Sequence, residues 1–446
     1  MLYEGEDVRR ALSPTGLADW RALAATEFFA RASEAGSVVA TRELDVPEAL
    51  PEGAAGLLGH ERIPFVSYPY EWPFGMLRDA AALQLEVLLE ALDEGLTLKD
   101  ASPYNVQWRG ARPVFVDVGS FERLRAGEPW AGYRQFCMLY LYPLLLQAYR
   151  QVPFHPWLRG SLDGITPEQC RNLLSRGDLL RPGVLSHVAL HARLDASNGG
   201  SRSDVRAELR EAGFAKGLIE ANARRLLKLV RGLDWSPSRS TWTEYGDCNS
   251  YSEADAAQKA EFVRAASESG RWRLTWDLGA NDGRYSRIAA ARSRYLVAID
   301  GDHGAVEQLY RALRDEQSDS ILALTLDLTD PSPNLGWRGR ERKGLAERGR
   351  PDLVLCLALV HHVAIAANVP LAQWIDWLRS LAAHLVIELP TREDAMVERL
   401  LEAKAGSHPD YDRERFEALL AEAFVIERTQ TLGSGTRVLY FARPRE

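Results

Sequence analysis

The sequence predicts an α/β protein of two domains: a C-terminal domain built on a mostly parallel sheet with an antiparallel terminal strand, and a mainly helical α+β N-terminal domain. Three observations carry this. The chain has 446 residues, enough for about two or three domains. Beyond residue 252, short apolar runs alternate with helical patterns, as in a parallel sheet covered by helices on both faces. Before residue 234 the apolar stretches are longer and mostly helical in spacing.

In the C-terminal part the strands read as 273–277, 294–300, 321–327, 352–357 and 384–389. Helical patterns fall between them at 284–292, 303–315, 370–382 and 393–403. The tail adds 424–430 and 436–442, separated by Gly433 and Gly435, as an antiparallel pair. In the N-terminal part, 76–94 and 130–150 are apolar enough for buried helices, and 166–176, 203–212 and 215–232 have amphipathic spacing. Only 104–108 and 113–118 read clearly as strands, a hairpin turning at Gly110. Polar segments at 194–204 and 234–252 read as loops, and the boundary is set at 240, giving domains 1–240 and 241–446.

Composition excludes several classes. It is 46% hydrophobic and 26% charged, ordinary for a globular protein, and the net charge is −8, which argues against a broadly basic nucleic-acid surface. Four cysteines stand far apart, without a CxxC pair, so zinc ribbons and a disulfide scaffold are not expected. The acidic start, MLYEGEDVRR, lacks an apolar core for a signal peptide. The longest apolar stretch, 136–148, is too short to span a bilayer. A cytoplasmic location is expected. Lysine occurs at only six positions, so nearly all positive charge is arginine.

The chemistry concentrates in Asp277-Leu278-Gly279-Ala280-Asn281-Asp282-Gly283, which follows a strand and opens a helix. Glycines there let the backbone turn sharply and approach a ligand, and the helix start offers free N–H groups. Asp300 ends the second strand, where an acid can accept ribose hydroxyls. Asp327 ends the third. A fourth strand runs into Ala358-Leu359-Val360-His361-His362. His361 or His362 is a candidate general base or orienter at the carboxyl edge of the sheet, a helix-start cap being the bland alternative. Glu388, ending strand five, is a further acceptor-side candidate. Metal binding is not expected, because a His-His dipeptide should point its rings apart and no third ligand has helpful spacing.

This register resembles the class I S-adenosylmethionine-dependent methyltransferases, which have a Rossmann-like fold, over roughly 250–446. The resemblance implies that Asp277, Gly279, Asn281 and Gly283 form the first motif, with Asn281 where glycine is frequent. It implies that Asp300 holds the ribose, that Asp327 with Leu328 contacts the adenine, and that S-adenosylmethionine is the cofactor. More narrowly, the strings SRSTWTEY at 238–245, KAEFV at 259–263, PSPNLGW at 331–337, LALVHHVAIAANVPLAQW at 357–374 and the tail TRVLYF resemble a NoeA-like group of bacterial nodulation proteins. The acceptor stays open among sugars, lipid-linked oligosaccharides, secondary metabolites and RNA, with a small molecule or glycan favoured and RNA least. Trp242, Tyr245 and Tyr251 could fold over the cofactor or anchor the linker. The Arg-rich loop 336–350 could hold an anionic acceptor or be a solvated loop.

In the N-terminal domain, Asp100, Asn105 and Asp117-Val118-Gly119 are similar to the catalytic strip of kinase-like small-molecule phosphotransferases, which holds Mg²⁺. Yet no lysine precedes Lys99 and no glycine-rich loop is present. Arg42 is the nearest substitute and a poor one. The expectation is an accessory domain, a kinase-like remnant that has lost ATP chemistry. The alternatives are a bifunctional kinase–methyltransferase and a non-catalytic cofactor-binding scaffold.

Overall fold

The structure, a computed structural model, describes residues 2–4, 7–45, 52–125, 127–197, 216–237, 252–404 and 408–445. The expected helix at 203–212 and the aromatic segment 242–251 lie outside the described residues. The chain divides into two compact units, Met1–Trp108 with Pro113–Ser236, and Arg109–Arg112 with Pro237–Glu446.

The first unit holds an antiparallel sheet of β1 (Leu2–Glu4), β2 (Asp7–Leu12), β3 (Thr41–Leu44) and β4 (Gly56–His60), in the order β1-β2-β4-β3. Sequence patterning misses these strands because they are short and carry charged residues. In β3, for example, Arg42 and Glu43 are exposed. The helix Phe74–Asp93 is the centre of the unit, with Leu77, Leu85, Leu88 and Leu92 wholly buried. Two strand pairs follow it: β5 (Leu96–Leu98) with β8 (Phe121–Arg123), and β6 (Val106–Arg109) with β7 (Arg112–Phe115). The expected hairpin is the second pair, turning through Gly110 at φ +57°. The apolar 136–148 segment is a buried helical run in which a π-type turn, Cys137–Leu141, leads into Tyr142–Arg150. Among the described residues no helix is long and apolar enough to cross a membrane.

The second unit is a seven-stranded sheet. Its strands are β9 (Trp272–Leu278), β10 (Ser293–Asp300), β11 (Ile321–Thr325), β12 (Leu353–Cys356), β13 (His384–Pro390), β14 (Phe424–Thr431) and β15 (Arg437–Pro444). The order is β11-β10-β9-β12-β13-β15-β14, parallel from β11 to β13. Strand β15 pairs antiparallel with both neighbours. The expected antiparallel pair at the end of the chain is thus present, and its last strand, β15, lies inside the sheet between β13 and β14 rather than at the edge. The burial pattern supplies the reason. Six successive residues of β15, Arg437–Ala442, are buried, whereas β14 alternates and suits an edge open to water on one side.

Helices Arg284–Ala290, His303–Asp315, Leu371–Ser380 and Ala395–Ala403 fill the connections as the spacing predicts. Two more, Glu253–Ser267 and Arg413–Ala423, were not separated from their polar surroundings by pattern alone. The chain runs outward from β9 to β11, then crosses back to β12. That reversal opens a crevice at the carboxyl ends of β9 and β12, where open α/β sheets bind ligands.

The turn after β9 depends on Gly283, which has φ +73° and opens Arg284–Ala290. A Cβ there would stand 2.5 Å from Leu309 Cδ1. Gly283→Ala should cost about 1–3 kcal/mol, from left-handed backbone strain plus this contact. The check is a lower urea midpoint at unchanged slope; an unaltered midpoint would show that the turn tolerates a side chain.

Candidate active site

A cavity of about 540 Å³ opens over the carboxyl ends of the parallel strands, within the range of small-molecule sites. Its floor begins with the glycine turn. Gly279 has φ +79° and Asn281 φ +48°. Asparagine tolerates this region better than most residues. The N–H groups of Gly279 and Ala280 both donate to Ile299 O, at 2.8 and 3.0 Å, which ties the turn to the end of β10.

Asp300 stands at that end. Its Oδ2 accepts from Asn281 N at 2.9 Å and its Oδ1 from Asp302 N at 2.9 Å. The carboxylate is thus fixed by backbone and lines the cavity, with lone pairs remaining for two neighbouring hydroxyls. Asp302 caps the next helix through Gly304 N and Ala305 N. Asp277 lies deeper, 1% exposed, and accepts from Ser286 Oγ at 2.6 Å. Asp327 is two residues beyond β11, in a turn closed by its bonds to Thr329 N and Oγ1. Asp277, Gly279, Asn281, Asp300, Asp327 and Leu328 all line the cavity. Gly283 does not; it shapes the turn from behind.

His361 and His362 line the same cavity. Their ring centroids are 4.0 Å apart, so the expectation that the two rings point apart is corrected. They sit where the chain leaves β12 through Ala358, at φ +51°, and begins a π-type turn, His362–Ala366. This tight turn brings the two neighbouring side chains together. Among the described residues no three His, Cys, Asp or Glu side chains gather as a metal site. His361 is 2% exposed and its Nδ1 has no hydrogen-bond partner. Burial, then the neighbouring His362, Arg437 and Lys259, hold its pKa well below the ordinary imidazole value. Burial and Arg437 bring His362 down to about 4. Both rings are neutral at neutral pH.

Glu388 does not touch the cavity, which corrects its placement on the acceptor side. It is wholly buried, held by Lys259 Nζ at 2.6 Å and Arg437 Nη1 at 3.3 Å. Arg437 also donates to Asp394 through Nε at 2.7 Å. A carboxylate so deep in the sheet needs such partners. Lys259 and Arg437 are the cavity residues that sequence reasoning missed, together with Tyr285, whose ring lies 4.6 Å from Lys259 Nζ. One signal was available: Lys259 is one of only six lysines in a chain whose other cations are arginines. The Arg-rich loop 336–350 contributes nothing to the cavity wall, and Trp337 at its tip is 77% exposed.

In the first unit, Asp117 is ion-paired with Arg10 and caps Gly119 N at 3.3 Å. Asp100 lies near enough that burial and the Asp117 charge both raise its pKa. Asn105 O accepts from Val116 N at 2.8 Å, and Asn105 Nδ2 is buried without a partner. The three residues of the strip therefore lie in one neighbourhood, with an arginine on the second aspartate.

No family model matches the chain. It is 33% identical over 389 residues to nodulation protein NoeA of Rhizobium meliloti (strain 1021), covering 86% of this chain and 81% of that protein. Among solved structures, N-methyltransferase NodS from Bradyrhizobium japonicum WM9 aligns over 44% of this chain and 99% of its own, at 15% identity and a TM-score of 0.33. Magnesium protoporphyrin IX methyltransferase from Synechocystis PCC 6803, with bound S-adenosylhomocysteine, aligns over 43% and 84%, at 17% identity and a TM-score of 0.31.

Burial pushes the Asp277 carboxyl up to about 6, against the pull of Ser286 and Lys259. Its unfolded value is about 3.9. Below both values the group is protonated in each state and costs nothing. As pH rises from about 4 to 6 the unfolded state releases its proton first, and stability falls. Asp277→Asn keeps the Ser286 contact and removes the charge. The ligand-free variant should exceed the wild type by about 2–3 kcal/mol at pH 7 and converge with it near pH 4. Denaturant titrations at the two pH values test this, and a pH-independent difference would contradict it.

Proposed function

Because the chain belongs to the NoeA family of nodulation proteins and gathers its glycine turn, Asp300 and a buried unpaired imidazole around one cavity, we propose that it is an S-adenosylmethionine-dependent methyltransferase acting on a small-molecule or glycan acceptor. The observation that carries the reading is the turn itself: backbone at Gly279 and Asn281 with positive φ, pinned to β10 beside the cavity-facing Asp300. The residues present suit that cofactor. Asp300 offers two carboxylate oxygens to vicinal ribose hydroxyls. Leu326, Leu328, Leu357 and Leu359 give an apolar wall for a purine. The left-handed turn keeps side chains away from the amino-acid end.

Bound there, S-adenosylmethionine supplies an electrophilic methyl on a sulfonium. The protein's part is to align the acceptor with it and exclude water. As the new bond to carbon forms and the sulfur–carbon bond breaks, a hydroxyl acceptor becomes strongly acidic and must lose its proton. The His361 imidazole, which lines the cavity, takes that proton. Its depressed pKa makes it a weak base, but one that is always unprotonated at neutral pH and ready to accept. A weak base suffices because the acid is formed only during transfer, which favours an oxygen acceptor. His362, its ring tilted beside that of His361, orients the pair.

The first unit serves as an accessory binding module, a kinase-like remnant. The Arg10 guanidinium on Asp117 supports this, since it supplies in the protein itself a cation that a phosphotransferase would take from metal. Gly119 leaves the space it needs: a Cβ there would lie 2.6 Å from Arg10 Nη2.

Two outcomes follow. Asp300→Ala should weaken S-adenosylhomocysteine binding by about 1–3 kcal/mol, the cost of leaving hydroxyls unpaired; calorimetry showing unchanged affinity would reject the ribose assignment. His361→Gln should lower methyl transfer from labelled cofactor, assayed on extracts containing the acceptor, by about 10²–10⁴-fold with cofactor affinity retained. Full turnover in that variant would remove His361 from the chemistry.

A further inference from the structure

The charged residues beside the cavity have a direction. Lys259 and Arg437 form part of its wall, whereas their counter-ions Glu388 and Asp394 do not. Lys259 Nζ meets Glu388 Oε2 at 2.6 Å. Arg437 meets Glu388 Oε1 at 3.3 Å and Asp394 Oδ2 at 2.7 Å. All four residues are at most 5% exposed. In all three ion pairs the cationic residue belongs to the cavity wall and the carboxylate residue does not. An anion against that wall feels the near cations more than the carboxylates behind them. The two histidines register this field, since Arg437 depresses both.

The place of the cations matters as much as their sign. Lys259 sits on the helix Glu253–Ser267, which is clamped over the β14–β15 turn. Gln258 Oε1 accepts from Gly433 N at 3.0 Å and Asp255 Oδ1 from Ser434 N at 3.1 Å. This holds Lys259 against Tyr285, in the first turn of the helix after the glycine turn, and close enough for its charge to act on Asp277. The carboxylates hold both cations in fixed positions without neutralising the face that a ligand meets.

We propose that Lys259 and Arg437 form a carboxylate-binding subsite of the cavity, with Glu388 and Asp394 as the positioning residues that lock the two cations in place. This rests on the methyltransferase reading and adds the chemistry of one recognised group. The carboxylate has two sources: the amino-acid end of the cofactor, or an acidic acceptor.

The test uses the full chain and three probes: S-adenosylhomocysteine, its decarboxylated analogue, and acetate added to S-adenosylhomocysteine-saturated protein against chloride at equal ionic strength. If the cofactor supplies the carboxylate, calorimetry shows S-adenosylhomocysteine binding at least about tenfold tighter than its decarboxylated analogue, the scale of one charge-assisted hydrogen bond. Lys259→Met closes that gap. If the acceptor supplies it, the two compounds bind alike, and acetate gives a saturable rise in melting temperature that Lys259→Met abolishes. The wild-type comparisons need no variant and so decide whether a carboxylate seat exists even if Lys259→Met does not fold; Arg437→Lys is the second variant. Equal affinities with no acetate effect overturn the subsite alone. So does a gap that persists undiminished in Lys259→Met. Absence of any S-adenosylhomocysteine binding overturns the methyltransferase reading itself.

Discussion

The reversal of strand order between β9 and β12 is the constraint from which the rest of the second unit follows. The chain builds β9, β10 and β11 outward and returns to lay β12 against the other side of β9. Loops leaving β9 and β12 must then diverge, one toward each face, and the crevice between them cannot be filled by either. The groups of the candidate chemistry stand at the carboxyl ends of these four strands. The glycine turn leaves β9, Asp300 ends β10, Asp327 follows β11, and His361 and His362 follow β12. Glycine is required after β9 because the chain reverses into a helix against Leu309 with no space for a side chain.

The open crevice creates a second demand. The insertion of β15 between β13 and β14 carries Arg437 into the sheet and to the cavity wall. An arginine at that depth is tolerable only with carboxylates around it. Glu388 and Asp394 answer it, and Lys259 completes the set from the covering helix. Charges that read as isolated polar residues on four different elements are one assembly. Burial first, and these cations second, hold the two histidines below the ordinary imidazole value.

The same relation between burial and charge appears in the first unit, with different consequences. Arg10 comes from a strand of the antiparallel sheet and meets Asp117 at the end of a hairpin far away in sequence. The Asp100, Asn105 and Asp117 strip is legible as spacing, but the guanidinium that compensates it is not, because nothing local ties β2 to residue 117.

The sequence by itself determined what is local. Apolar runs of five to seven residues located β9 to β13, and 3.6-residue spacing located the helices between them. The glycine turn with Asp277, Asp300 and Asp327 was readable because each lies at a strand end, where position in the chain equals position in the cavity. Tertiary structure decided what depends on pairing. Strand order in the tail was invisible because two adjacent strands form an antiparallel pair whether the last is at the edge or inside; only burial on both faces of β15 placed it inside. Glu388 was assigned to the acceptor side because its strand end was known and its partners were not. Lys259 lies 129 positions before Glu388, and Arg437 lies 49 after it. Spacing carries no information about contacts at such range, since the register that creates them belongs to the folded sheet and its covering helix rather than to either segment.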